Sequence, residues 1–228
     1  MENLENSFSR FFLELHIMIN DLFSVPILRK QLSDMSFVES LERYILESLH
    51  ESNRVGSAPQ SAHSDLFESK FDFLNWENPY SAHCKTLFMH LLMQFIKEVT
   101  NINDSQLGKL KVYHESWFHV VRKGGYFQVH THPNASWSVV LCVCQGDEVV
   151  ANDKEAGCLL FLDPRLNASM HLDPANKDLQ RKYSFNGYRF RPSSGEIFIF
   201  PSYLQHSVEP YFGDRHRISV ASNFWFNT

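Results

Sequence analysis

From Lys111 onward the chain consists of short segments rich in β-branched and aromatic residues: 111–121, 126–132, 137–144, 158–162, 196–201 and 217–226. Turn-forming clusters separate them, such as Arg122-Lys123-Gly124-Gly125 and Arg191-Pro192-Ser193-Ser194-Gly195. Runs this short, with side chains that suit a pleated surface, exclude a helical bundle and predict an all-β sandwich or barrel.

The first 110 residues read differently. Leu4, Phe8, Phe11, Phe12, Leu15, Met18, Ile19 and Leu22 recur at spacings of three and four, which predicts an amphipathic helix over 4–23. Val25-Pro26-Ile27-Leu28 reads as a short strand entered through a proline. Asp34 is placed to cap a helix carrying Phe37, Leu41, Tyr44, Ile45 and Leu49. Residues 51–64, rich in Ser, Asn, Gly and Pro, read as a loop, and a second long helix is expected from about Pro79 to Val99, with Leu87, Leu91, Leu92, Phe95 and Ile96 on its buried side. The expected architecture is α+β but mainly β: a two-sheet jelly-roll or cupin-like barrel behind an N-terminal helical layer. One domain is expected over 1–228, with 1–110 as helical buttress and edge strands and 111–228 as jelly-roll core.

Length and charge narrow the function. A chain of 228 residues suits one core, and a net charge of −5, without a basic run interleaved with aromatics, disfavours nucleic acid as partner. The N-terminus has no basic leader and its apolar residues are interrupted by Glu14, His16, Asn20 and Asp21, so neither a signal peptide nor a membrane span is expected. Cys84, Cys142, Cys144 and Cys158 form no CxxC pair and are expected to be reduced thiols of a cytoplasmic protein. The apolar N-terminal helix would serve as a homodimer face as readily as a core layer.

Chemistry concentrates in a few positions. His130 and His132, two apart on what reads as a strand, would present imidazoles to one face, and His206, just beyond Pro201-Ser202, is placed to bring a third from another strand. Imidazole suits iron, copper, nickel and zinc alike, so spacing alone leaves the metal open. Arg217 and Ser219 alternate onto one face of the last strand, where a guanidinium and a hydroxyl can hold a carboxylate; pairing of Arg217 with Asp214 or Glu209 at the surface is the competing reading. Asp163, ending an apolar strand, is either a reserve ligand or a turn residue paired with Arg165. Asn134, Trp137 and Arg165 are the candidates for the substrate pocket. His114, His119, His171 and His216 lack comparable companions and read as structural or exposed.

Together these residues resemble the iron(II)- and 2-oxoglutarate-dependent oxygenases, and within them a poorly characterised bacterial and phage group. The resemblance runs in order through W-x-x-V-x-x-x-G-G-Y (117–126), HTHPNASWSVV (130–140), GCLLFLDPR (157–165), GEIFIFPSYLQHSV (195–208) and RISVASN (217–223). It implies a double-stranded β-helix, Fe(II) held by His130, His132 and His206, and 2-oxoglutarate held at its far carboxylate by Arg217 and Ser219. The implied reaction uses O2 to hydroxylate a C–H bond of a small molecule, amino acid or peptide, with release of succinate and CO2. Most of the wider family has Asp or Glu where this chain has His132, which raises the charge of the metal site by one. Two other readings stand beside it: a three-histidine cupin-type oxygenase that uses no 2-oxoglutarate, and a non-catalytic barrel acting as a binding module. Residues 51–64 and 166–188 are the expected substrate lids.

Overall fold

The computed structural model describes residues 18–55, 62–63, 66–147, 154–165, 170–171, 173–185 and 187–228. Its elements are β1 (Leu28–Gln31), α1 (Met35–Glu47), β2 (Ala62–His63), β3 (Leu66–Glu68), α2 (Pro79–Val99), α3 (Asp104–Leu107), β4 (Lys111–Val121), β5 (Tyr126–His130), β6 (Trp137–Cys144), β7 (Leu159–Phe161), β8 (Tyr188–Phe190), β9 (Glu196–Pro201), β10 (His206–Val208) and β11 (Arg217–Asn227). Local chemistry sets the helix starts. The Asp34 carboxylate accepts from Phe37 N at 3.0 Å, and Asn78 Oδ1 accepts from Tyr80 N and Ser81 N ahead of Pro79, satisfying backbone donors that the first helical turn leaves unpaired.

The strands form two antiparallel sheets facing one another. One has six strands in the order β1-β9-β6-β11-β4-β3, the other five in the order β2-β5-β10-β7-β8. This is the double-stranded β-helix architecture. It does not close into the expected barrel: among the described residues β1 and β8 are edges of separate sheets, joined by no ladder.

Alternation divides the six-stranded sheet into two buried faces. Phe118, Val120, Val139, Leu141, Ile197, Ile199, Ile218 and Val220 point outward and pack under Val38, Leu41, Ile45, Phe88, Leu92 and Ile96 of α1 and α2. This is the helical layer foreseen from the 3.6-residue periodicity. Residues of opposite parity face the second sheet, where Phe127, Leu159, Phe161, Phe198 and Phe200 form the inner core.

Several expectations shift. The strand expected at 25–28 runs over Leu28–Gln31, where it pairs with β9. The helix expected over 4–23 lies mostly outside the described residues, and residues 18–23 within them are not helical. Of the expected loop 51–64, Glu51–Asn53 is a single 3-10 turn, Ala62–His63 pairs with β5, and 56–61 and 64–65 lie outside the described residues. The segment 166–188 contains a 3-10 turn at Arg181–Tyr183 and leads into β8; 166–169, 172 and 186 lie outside the described residues. Among the described residues no helix is long and apolar enough to cross a membrane.

Candidate metal centre

The last residue of β5 and the first of β10 are register partners, and they are His130 and His206. The sequence placed His132 on the same strand as His130, but β5 ends at His130. His132 lies in the turn that follows, immediately before Pro133, and its backbone N–H donates to Ser202 O at 2.9 Å. That bond seats the 131–136 turn against the turn between β9 and β10, so His132 reaches the same point by a different route. A buried chain reinforces the contact: Ser138 Oγ lies 2.8 Å from Ser202 Oγ and donates to Asn223 Oδ1 at 2.8 Å.

The three rings converge, with one ligand nitrogen from each lying within 4.8 Å of the others. Two of them are oriented by their own strands. His130 Nδ1 is 2.7 Å from Gln128 O and His206 Nδ1 is 2.8 Å from Leu204 O. A carbonyl only accepts, so both Nδ1 atoms carry the proton and Nε2 keeps its lone pair for the cluster. Burial lowers the pKa of all three, to about 4 for His132 and about 3 for His206, and repulsion adds to this, from His119 on His130, from His130 and His119 on His132, and from His130 and His132 on His206. Three neutral imidazoles with converging lone pairs fit a divalent transition metal, and the carbonyl partners are the outer-shell groups that such ligands use. Asp163 is not part of this cluster. Its carboxylate is taken by Arg165 in a forked pair, with Nε at 2.9 Å and Nη2 at 2.5 Å, and that guanidinium lowers its pKa.

Beside the cluster, between the sheets, lies a cavity of about 60 Å3 lined by Trp117, His119, Phe127, Phe198, Arg217 and Ser219 among others. One water needs roughly 10–15 Å3, so the space takes a small molecule of several heavy atoms. Strand register orders its walls. On β4 and β11, Trp117 faces Ala221, His119 faces Ser219 and Val121 faces Arg217. The Trp117 ring lies 5.9 Å from that of His132, so the histidines sit at one end and Arg217 two levels away at the other.

Arg217 is 4% exposed and makes no hydrogen bond or ion pair with the described residues. Its sequence competitors are occupied: Asp214 pairs with Lys123 and Glu209 with Arg189. Desolvation pushes the guanidinium pKa down, against the pull of Cys142, Cys158 and Tyr211. A buried cation so placed is a seat for an anion. Ser219, 5% exposed, adds a hydroxyl on the same wall.

The residues expected in a substrate pocket are not brought together. Trp137 packs edge-on against Phe95, 5.2 Å away, on the helix-covered face; Asn134 is exposed; and Arg165 lines a separate cavity of about 490 Å3 between β1, β7 and β8. His119, read as structural from the sequence, lines the metal-side cavity instead, paired with buried Glu68 at 2.7 Å. Its parity with Trp117 and Val121 on one strand was visible, but which face of that strand turns inward was not.

Residues 115–223, just under half of the chain, match the family model described as "Putative 2OG-Fe(II) oxygenase". Curated proteins gave no match. Among solved structures, the chain is similar to a prolyl-4-hydroxylase of Pseudomonas putida, with 16% identity over 90% of this chain and 94% of that one and a TM-score of 0.58. It is similar also to HygX of Streptomyces hygroscopicus, solved with nickel and 2-oxoglutarate, with 14% identity over 92% and 87% and a TM-score of 0.58. A Trichoplax adhaerens prolyl hydroxylase in complex with a peptide fragment of hypoxia inducible factor gives 12% identity over 87% and 83% and a TM-score of 0.56. At these identities the likeness is one of fold.

Proposed function

We propose, from the match of residues 115–223 to the family model described as a putative 2OG-Fe(II) oxygenase, that the chain is a non-haem Fe(II)- and 2-oxoglutarate-dependent oxygenase that hydroxylates a C–H bond of a small molecule, amino acid or peptide. The observation that carries the reading is Arg217: a buried guanidinium unpaired among the described residues, at the far end of a cavity whose near end is three convergent imidazoles. A dicarboxylic keto acid is the ligand that answers both ends. His130, His132 and His206 would hold the iron, and Arg217 and Ser219 the far carboxylate. Bound there, iron and 2-oxoglutarate supply the oxygen chemistry, in which the keto acid and O2 become succinate and CO2 while one oxygen atom enters the C–H bond.

The chain's own contribution is positional. Burial of His206 and Arg217 keeps water from the ligand, and the carbonyls of Gln128 and Leu204 fix two imidazoles in the tautomer that binds metal. The substrate class draws on the solved structures of like fold, which include a HygX complex with hygromycin B and a prolyl hydroxylase bound to a peptide. Succinate formation from 2-oxoglutarate by the Fe(II)-loaded protein under air tests the proposal. It is expected in the native protein and lost in His206→Ala and Arg217→Ala. O2 consumption that needs no keto acid and survives Arg217→Ala would select the cosubstrate-free three-histidine oxygenase, which the carboxylate-free cluster favours.

A further inference from the structure

One buried ionisable pair faces the cavity without a part in the scheme above. Glu68 on β3 and His119 on β4 are register partners, 6% and 8% exposed, with His119 Nε2 2.7 Å from Glu68 Oε1. The imidazole leans on Phe127 of the opposite sheet at 4.5 Å between ring centroids, and its edge lines the cavity. Among the described residues Nδ1 has no hydrogen-bond partner.

Register places the ring along the path of a ligand. His119 stands at the level of Ser219, one two-residue step of roughly 7 Å from the level of Trp117, beside the histidines, and one such step from Arg217. A molecule spanning the histidine cluster and Arg217 passes His119. The His119 ring lies 6.1 Å from that of Trp117 and 4.5 Å from that of Phe127, and these two rings lie 5.9 Å from His132 and 6.4 Å from His130, so His119 belongs to the metal end. A ring that gives Nε2–H to a carboxylate can also donate from Nδ1 only as the imidazolium, and buried Glu68 is the counter-charge that this form requires.

We propose that His119, held by Glu68, is a further ligand-positioning residue of the cavity: its Nδ1 donates to the carboxylate of a 2-keto acid at the end nearest the three histidines. The cavity then grips a keto diacid at both ends, with Arg217 and Ser219 at one and His119 at the other. This rests on the keto-acid reading above.

The test compares two keto acids on the anaerobic Fe(II) protein by titrating the visible charge-transfer band: 2-oxoglutarate, with both carboxylates, and pyruvate, with only the metal-end one. His119→Phe, which keeps an aromatic ring against Phe127, is expected to weaken both by about ten- to hundredfold, the loss of one charge-assisted hydrogen bond. Arg217→Ala is expected to weaken 2-oxoglutarate alone. Co(II) affinity measured without keto acid should stay within about threefold of native in His119→Phe, a readout that a merely structural role would move. Glu68→Gln keeps an acceptor for Nε2 but removes the charge, and should weaken both keto acids in the same direction even if His119→Phe fails to fold.

Unchanged affinity for both acids in His119→Phe or in Glu68→Gln overturns the assignment. A loss confined to 2-oxoglutarate moves the contact to the far end and overturns it equally, as does a parallel fall in Co(II) affinity. No band in the native protein with either acid removes the keto-acid reading itself, and the role of His119 with it.

Discussion

Arg217→Met separates a residue kept for a ligand from one kept for the fold. The methionine retains most of the stem, which packs close to Gly157, where an added Cβ would lie 3.5 Å from Arg217 Cδ, and removes only the charged head. In the ligand-free protein that head is a buried cation with no counter-charge among the described residues, at 4% exposure. Replacing such a group by an apolar one is expected to stabilise the ligand-free protein by roughly 1–3 kcal/mol, within the range seen when buried ionic groups are replaced. For a chain of this size that raises Tm by roughly 2–10 °C.

With metal and 2-oxoglutarate the gap closes or inverts. Ligand at a hundred times Kd stabilises the native protein by about 2.7 kcal/mol, and removing one partner of a buried charge pair weakens binding by roughly 2–5 kcal/mol. At the same concentration the variant gains at most about 0.9 kcal/mol. Thermal unfolding of both proteins, with and without the Mn(II)–2-oxoglutarate pair, reads all four values. A variant less stable than native protein in the absence of ligand would refute the reasoning, because the guanidinium would then be satisfied by the fold.

Acid should undo the metal-free centre. His132 and His206 have folded pKa values of about 4 and about 3, below the ordinary 6.5, so the unfolded chain takes up protons first. Their contribution to stability is full above about pH 6.5 and falls as pH drops through 4 and 3; urea unfolding at several pH values should show that slope, reduced in His206→Gln. Ser138→Ala breaks the chain from Asn223 to Ser202 that backs the His132 turn, and should weaken Co(II) binding about tenfold and cost about 1–3 kcal/mol in chemical denaturation. All four cysteines are buried free thiols, with Cys84 and Cys142 pushed up to about 12, so a thiol reagent at pH 8 should label none in the folded protein and all after denaturation.

What was legible follows from how much chain each signal occupies. The helices from Met35 and Pro79 and the long strands β4, β6 and β11 each carry enough residues for a period to show. β2, β3, β8 and β10 are two or three residues long, and no periodicity can be read from so few. The facing of β6 was hidden for another reason. Both its sides are mostly buried, one under α1 and α2 and one over the cavity, so Trp137 and Ser138 look equally inward in sequence although only the serine's side faces the second sheet. Parity error there misplaced Trp137, and the same blindness on β4 hid His119. The convergence of the three histidines was legible because a candidate metal-ligand pattern restricts residue type more tightly than packing does, although His132 comes from a turn.

Charge would make this cavity depend on the ligands proposed for it. The candidate metal site is made of neutral imidazoles and brings no negative charge of its own, Asp163 is held by Arg165, and Arg217 adds a cation. No Asp or Glu is among the described residues that line the cavity, and Glu68 stands one imidazole removed from it, behind His119. A divalent ion entering alone would meet Arg217 across a space of about 60 Å3 with too little negative charge to offset it, and a keto diacid entering alone would find only one end of its seat. Each ligand therefore supplies charge that the other needs, and by thermodynamic linkage each should tighten the other's binding by the same factor. A ligand set with Asp or Glu in place of His132 would carry part of that compensation in the protein. With histidine there, the burden would pass to the anion of the proposed scheme, and the two buried groups beside the cavity, Arg217 and the Glu68–His119 pair, would determine which anion is accepted.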